Sequence, residues 1–183
     1  PLIEKIKSQL PLLKHIIVMV DKDKMPQSSL SLQCYEELLA AESDRFEWPV
    51  LDEQSASSLC YTSGTTGHPK GVMYSHRSTV VHALASVAGD ALGISSSSVV
   101  LPVVPMFHVN AWGVPYAAAA TGAKLVLPGA GMDGASIFEL IDNEKAQLLL
   151  GVPTVWLALL QFCEKEKKKL HSVEKVVIGE IGR

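Results

Sequence analysis

Tyr61-Thr62-Ser63-Gly64-Thr65-Thr66-Gly67-His68-Pro69-Lys70-Gly71-Val72 gathers three glycines, four serine and threonine hydroxyls and one lysine into a dozen residues. Glycine lets backbone N–H groups approach a ligand closely, while hydroxyls and a lysine donate hydrogen bonds to phosphate oxygens. Apolar residues lead into the stretch at Leu59-Cys60-Tyr61 and out of it at Val72-Met73-Tyr74. The pattern therefore predicts a loop held between two buried segments, built to grip phosphate rather than to serve as a flexible Gly/Ser/Thr linker. The ordinary nucleotide P-loop does not fit. Gly64 and Lys70 have the required separation, but Pro69 stands where the second glycine belongs and offers no N–H. Gly71 replaces the Ser/Thr that would hold magnesium.

Outward from this loop the chain reads as alternating strands and helices. Ser75 is a suitable N-cap for a helix to about Leu92, closed by Gly93. Val80, Val81, Leu84, Val87, Ala88 and Ala91 recur at helical spacing and predict its buried face. His76 and Arg77 lie in its first turn, where cations oppose the helix dipole unless they face solvent or an anion. His82, in mid-helix, reads as structural. Four serines, Ser95–Ser98, precede Val99-Val100-Leu101. In Pro102-Val103-Val104-Pro105-Met106-Phe107-His108-Val109-Asn110-Ala111-Trp112-Gly113 the two prolines predict irregular backbone in an apolar setting, of a kind kept at binding sites. A small-residue helix over about 111–121, a strand over 124–127 and a glycine-rich loop over 128–134 follow. A helix over 136–143 buries Ile137, Leu140 and Ile141, and a strand covers 147–150. A helix from Pro153 to about Glu166 turns Val155, Trp156, Leu159, Leu160 and Phe162 inward, and a last strand covers 175–178.

Before the loop, residues 2–14 predict a short helix ending near Pro11, and 16–20 a buried strand. Residues 21–31 form a polar turn, and 35–41 a helix with Leu38 and Leu39 inward. An acidic stretch, 42–57, wraps the surface without a domain boundary. The order implies an α/β fold, a layered and largely parallel sheet flanked by helices.

Composition narrows the function classes. At 183 residues and 48% hydrophobic, the chain can bury an ordinary core. Sixteen basic and nineteen acidic residues give a net charge of -3, with no basic excess to suggest a nucleic-acid partner. Cys34, Cys60 and Cys163 are odd in number and outside any metal or CxxC pattern, which predicts buried thiols in a reduced, cytoplasmic setting. The uncharged run 99–120 imitates a membrane span, but Pro102, Pro105 and Pro115, with His108 and Asn110, predict buried loop and helix instead. The first residues lack an initiator methionine and any signal-peptide pattern, and read as a boundary inside a longer protein.

Residues 61–72 resemble the phosphate-binding signature of the adenylate-forming superfamily, which includes acyl-CoA synthetases, luciferases and peptide synthetase adenylation domains. The resemblance runs over most of residues 16–179. The segment from Pro102 to Gly113 is similar to the second core motif in the wording of medium- and long-chain fatty acyl-CoA synthetases. YSHRS after the signature, GAKLVLPG at 122–129 and GVPTVWLALL at 151–160 are similar to the same branch. The resemblance implies part of the large N-terminal domain of such an enzyme. It also implies the ATP- and CoA-dependent conversion of a fatty acid, through an acyl-adenylate, to an acyl-CoA thioester. ATP, Mg2+ and coenzyme A are the implied cofactors and substrates.

By the same resemblance Thr62, Ser63, Gly64, Thr65, Thr66 and Gly67 wrap the β- and γ-phosphates, Thr62 adds a hydroxyl to the magnesium shell, and Lys70 assists the departing pyrophosphate. His108 lies beside the substrate carboxylate and α-phosphate, so Lys70 and His108 are the implied catalytic pair. Trp112 is the implied gate of the acyl tunnel. Glu180 onward departs from the family's adenine-contacting loop. The later magnesium-binding glutamate, the ribose-binding aspartate and the mobile C-terminal domain with its lysine are not in the sequence. A fragment is therefore expected. Peripheral membrane association and a homodimer stay open on this reading. The alternatives are a nucleotide-binding or partner-interaction module without catalysis, or a hydrolase of amidase type using Ser63 and Lys70.

Overall fold

A computed structural model of the chain describes residues 2–62 and 68–179. The chain divides into two compact units, residues 1–50 and 51–183. The division falls within the acidic stretch that the sequence reads as continuous.

In the first unit, α1 (Leu2–Ile6) runs into a 3-10 turn at Lys7–Gln9, and β1 (Ile17–Val18) pairs in parallel with β2 (Gln33–Cys34). The strand expected over 16–20 is thus only two residues long, and Ile17 is half exposed. α2 (Tyr35–Ala41) forms where its sequence predicts, but buries no residue; Leu38 and Leu39, expected inward, are exposed.

The second unit is a layered α/β structure. A hairpin of β3 (Ala56–Thr62) and β4 (Lys70–Ser75) leads into α3 (His76–Ser86). A four-stranded parallel sheet follows in the order β6 (Lys124–Leu125), β5 (Val99–Val103), β7 (Leu148–Gly151) and β8 (Lys175–Ile178). The elements between its strands are α4 (Val109–Trp112), α5 (Val114–Thr121), α6 (Gly134–Glu144) and α7 (Pro153–Glu166).

Period-two alternation in the central strands builds a core on each face of the sheet. On β5, Leu101 enters one cluster with Ile137, Ile141, Trp156 and Leu159 from α6 and α7, while Val100 enters the other with Ala83, Val114 and Ala117 from α3 and α5. On β7, Leu149 joins the first cluster and Leu148 and Leu150 the second. Of the positions expected inward on α6, Ile137 and Ile141 are buried and Leu140 is half-buried against the same cluster, while Phe138, not anticipated, is also buried. In α7 the range matches, but Leu160 is exposed and Cys163 takes a buried place.

Three other expectations fail for identifiable reasons. Pro102 lies inside β5, opposite Leu150 of β7. Because β6 pairs only with Val99 and Val100, the proline's missing N–H falls where there is no ladder to break. α3 ends at Ser86 rather than Leu92, and it buries Ala83 and Ser86 while Val80, Val81 and Leu84 are more than half exposed. Small residues on the inner face let α3 pack closely against the alanines of α5, so the large side chains point outward. In the hairpin, Cys60 is buried, but Leu59, Tyr61 and Met73 are exposed, so its strands are not buried on both faces.

Candidate functional site

The phosphate-type signature begins at the end of β3 and ends in the first residues of β4. Antiparallel register sets Tyr61 opposite Gly71 and Thr62 opposite Lys70, so both ends of the motif are held by strand pairing. Thr62 and Lys70 are both exposed, leaving the hydroxyl and the ammonium free to meet a ligand. Ser63, Gly64, Thr65, Thr66 and Gly67 lie outside the described residues. Gly71 has a packing reason: a Cβ there would sit 3.1 Å from Leu59 and 3.5 Å from the Tyr61 ring.

The base of the hairpin is anchored to α3. Ser75 caps the helix by accepting from the Ser78 backbone N–H, and the Ser78 hydroxyl accepts in return from Ser75 N–H. The Ser57 hydroxyl donates to the Tyr74 carbonyl at 3.1 Å and pairs with the Thr79 hydroxyl at 3.0 Å. Arg77, a cation in the first turn, pairs with the carboxylate of Glu53, and its backbone N–H donates to the Glu53 carbonyl at 2.8 Å. The hydrogen bond from Arg77 holds the Glu53 carboxyl below its ordinary range. An anion therefore faces this helix end, and it belongs to the chain itself.

His108 and Trp112 lie on the connection that leaves the C-terminal end of β5. Ligands of α/β sheets collect at such strand ends. A tight turn closes from the His108 N–H to the Pro105 carbonyl at 3.0 Å. The next residues depart from the expected helix start. Val109, Asn110, Ala111 and Trp112 have φ of 49°, 50°, 50° and 56°, so α4 is wound left-handed before Gly113, φ 70°, returns the chain to the right-handed α5. Asparagine and glycine adopt this region readily, but Val109, Ala111 and Trp112 each cost on the order of 1–2 kcal/mol there. Burial of Ala111 and packing of Trp112 against the second core cluster hold the turn in place. Such strain is characteristic of sites where side chains are aimed at a ligand.

Trp112 lies over the end of β8: a Cβ on Gly179 would come within 2.3 Å of its indole. It borders a cleft of about 360 Å³ with His82, Leu92, Leu150 and Val177. A second cleft, about 180 Å³, lies between α3 and the left-handed turn and is lined by Tyr74, Thr79, His82, Asn110 and Tyr116. His82 borders both. Its ring also fills the place of a Gly113 side chain, since a Cβ there would be 2.5 Å from His82 Nδ1.

The hairpin and the turn are joined directly. Asn110 donates from Nδ2 to the Ser58 hydroxyl at 2.8 Å, and its Oδ1 accepts from the Cys60 thiol at 3.4 Å. The expected site residues outside the signature's tip are thus carried by two linked elements: Thr62 and Lys70 on one, His108 and Trp112 on the other. Sequence reading missed the contacts of Asn110 and Gly179; His82, which it took as structural, packs against Gly113. For Asn110 a signal existed, because asparagine ahead of a glycine favours left-handed backbone. For Gly179 there was none, since its role arises from a contact across the fold.

Among the described residues no group of three or more His, Cys, Asp or Glu side chains could hold a metal ion. No helix among them is long and apolar enough to cross a membrane. The three cysteines are buried and free, as their spacing suggested.

Comparison with known proteins gives the family and the fold. The family model described as AMP-binding enzyme matches residues 1–181. The chain is 51% identical over 180 residues to a 3-methylmercaptopropionyl-CoA ligase of Ruegeria lacuscaerulensis, covering 98% of this chain and 33% of that protein. It is 49% identical to a medium-chain-fatty-acid–CoA ligase of Ectopseudomonas oleovorans, again over 98% of this chain and 33% of the relative. A long-chain-fatty-acid–CoA ligase of Thermus thermophilus is 48% identical over 98% of this chain and 32% of its own length. The chain thus spans about a third of these relatives. Among solved structures, the anthranilate CoA ligase AuaEII in complex with anthranoyl-AMP superposes with a TM-score of 0.77 at 26% identity, over 97% of this chain and 34% of that one. A red-emitting luciferase from Phrixothrix hirtus shares the fold, with a TM-score of 0.75 at 24% identity over 98% of this chain and 35% of its own. By sequence and by fold, the chain belongs to the AMP-binding enzyme family.

Proposed function

We propose that this chain supplies the pyrophosphate grip and the carboxylate side of an acyl-CoA ligase acting on fatty acids. The observation that carries the reading is the link between the two motifs. A hairpin with Thr62 opposite Lys70 is tied through Asn110 to the turn that bears His108 and Trp112. A phosphate grip and a carboxylate site must be held together if an acid oxygen is to meet the α-phosphorus of ATP.

The chemistry needs positioning more than covalent help. A carboxylate approaching a triphosphate meets like charge, so cations and N–H donors must neutralise the phosphates as pyrophosphate leaves. Lys70 serves the departing pyrophosphate, with residues 62–67 around the β- and γ-phosphates. The acid's carboxylate lies beside His108, and its apolar tail passes Trp112 into the apolar cleft. The acid oxygen bonds to the α-phosphorus as the bond to pyrophosphate breaks, giving acyl-adenylate; the CoA sulfur then takes the acyl carbon and AMP leaves.

Magnesium fits this donor set. A magnesium ion is held mainly by substrate phosphates and water with one or two protein oxygens, and Thr62 presents an exposed hydroxyl where the phosphates would lie. When bound, the ion spreads the charge of the β- and γ-phosphates. Free, buried cysteines support a reducing, cytoplasmic setting.

The test is acid-dependent ATP–pyrophosphate exchange by the intact protein across a series of straight-chain fatty acids. Exchange that requires both acid and magnesium is expected. Exchange without acid, or none with any acid of the series, overturns the proposal.

A further inference from the structure

We infer that Asn110 is a positioning residue that latches the phosphate-loop hairpin to the left-handed turn carrying His108 and Trp112. The inference rests on the functional reading above only for what the latch serves; the latch itself follows from the geometry.

Asn110 is one of the two residues in the left-handed run, with Gly113, that adopt this conformation readily. Its side chain uses the amide at both ends: Nδ2 donates to Ser58 Oγ at 2.8 Å and Oδ1 accepts from Cys60 Sγ at 3.4 Å. Ser58 and Cys60 are alternate residues on the same face of β3, and Thr62, the next in that alternation, begins the signature. Cys60 is buried although its neighbours Leu59 and Tyr61 are exposed, so the face of β3 that meets Asn110 is the one held against the rest of the unit. Ala111 beside it is fully buried. A change in the turn therefore moves Asn110, and with it the strand that ends at Thr62. The position of the turn that carries His108 and Trp112 is thereby coupled to the position of Thr62.

The thiol of Cys60 reports on the latch. Peptide-resolved alkylation by iodoacetamide would be timed in the chain as it stands, with Cys163 as the reference; that thiol is also buried in the second unit, and burial pushes its pKa up. Asn110→Gly keeps the backbone freedom and removes both bonds, and Ser58→Ala removes one from the other side. Both variants should speed Cys60 alkylation, Asn110→Gly by roughly tenfold and Ser58→Ala by less, with Cys163 unchanged. Asn110→Asp, whose carboxylate still accepts from the Cys60 thiol and can accept from the Ser58 hydroxyl once that hydroxyl turns to donate, should restore slow labelling. Unchanged Cys60 labelling in Asn110→Gly, an equal rise at Cys60 and Cys163, or an Asn110→Asp rate as fast as that of Asn110→Gly overturns the latch. Calorimetric titration of the same chain with MgATP addresses the phosphate reading separately: absence of binding removes the purpose assigned to the latch but leaves the alkylation result to decide whether the latch exists.

Discussion

Gly113→Ala tests whether the left-handed turn and His82 are as tightly fitted as the structure describes. Two costs are expected. The backbone at φ 70° charges an L-residue on the order of 1–2 kcal/mol. The new Cβ would lie 2.5 Å from His82 Nδ1 and 2.8 Å from its Cε1, where ordinary contact begins at 3.4 Å, so the ring must retreat by nearly an ångström. His82 is exposed enough to swing aside, which places this second cost near the low end of overpacking, about 1 kcal/mol. The total is about 2–3 kcal/mol, or roughly 4–12 °C in Tm for a chain of this size. Urea unfolding followed by tryptophan fluorescence would measure it in wild type, Gly113→Ala, His82→Ala and the double variant. His82→Ala should relieve the steric part and leave the backbone part, a coupling of about 1 kcal/mol. Full stability in Gly113→Ala, or an equal loss with and without the imidazole, would refute the fit.

Gly134→Ala should destabilise more, although alanine is the better helix former. A Cβ at Gly134 would meet the Ala158 carbonyl oxygen at 2.3 Å and Phe162 Cβ at 2.9 Å, so α6 and α7 must separate. The propensity gain of at most about 1 kcal/mol is outweighed by overpacking of roughly 3 kcal/mol against backbone that cannot swing away. Thermal unfolding checks the sign. Asp133 caps α6 through the backbone N–H groups of Ala135 and Ser136 and accepts from the Ser136 hydroxyl, and these bonds, the hydroxyl first, hold its carboxyl below the ordinary range. A depressed carboxylate adds stability above its unfolded pKa of about 3.9 and loses it as pH falls through the lower folded value. Tm should therefore drop more between pH 5 and pH 3 in wild type than in Asp133→Asn, whose cap does not titrate. The chain by itself, spanning about a third of its relatives' length, should release no acid-dependent pyrophosphate; release by the pure chain contradicts the division of labour proposed here.

The sheet and its helices were largely legible in the sequence because their signals are local. Pro153 opens α7 and the lysine-rich end closes it, while Leu148–Leu150 spell a strand buried on both faces. What escaped depends on neighbours. Pro102 is acceptable in β5 only because β6 is two residues long. The outward face of α3 could not be read from Val80, Val81 and Leu84, since the inner face is chosen by how closely α5 approaches. The hand of α4 is invisible to hydrophobic periodicity. The motif residues Thr62, Lys70, His108 and Trp112 were picked out as site candidates from their wording, but the amide that ties their two elements together was not.

On this reading Lys70 serves the pyrophosphate-releasing half of the reaction. The direct measurement compares wild type and Lys70→Ala in the intact protein, timing acyl-adenylate formation from acid and ATP beside thioester formation from supplied acyl-adenylate and CoA. Loss of one cation on a departing pyrophosphate should slow the first step by about two to three orders of magnitude and leave the second within a few fold. Equal losses in the two half-reactions would contradict the role given to Lys70 and, with it, the reading of the hairpin as a pyrophosphate grip.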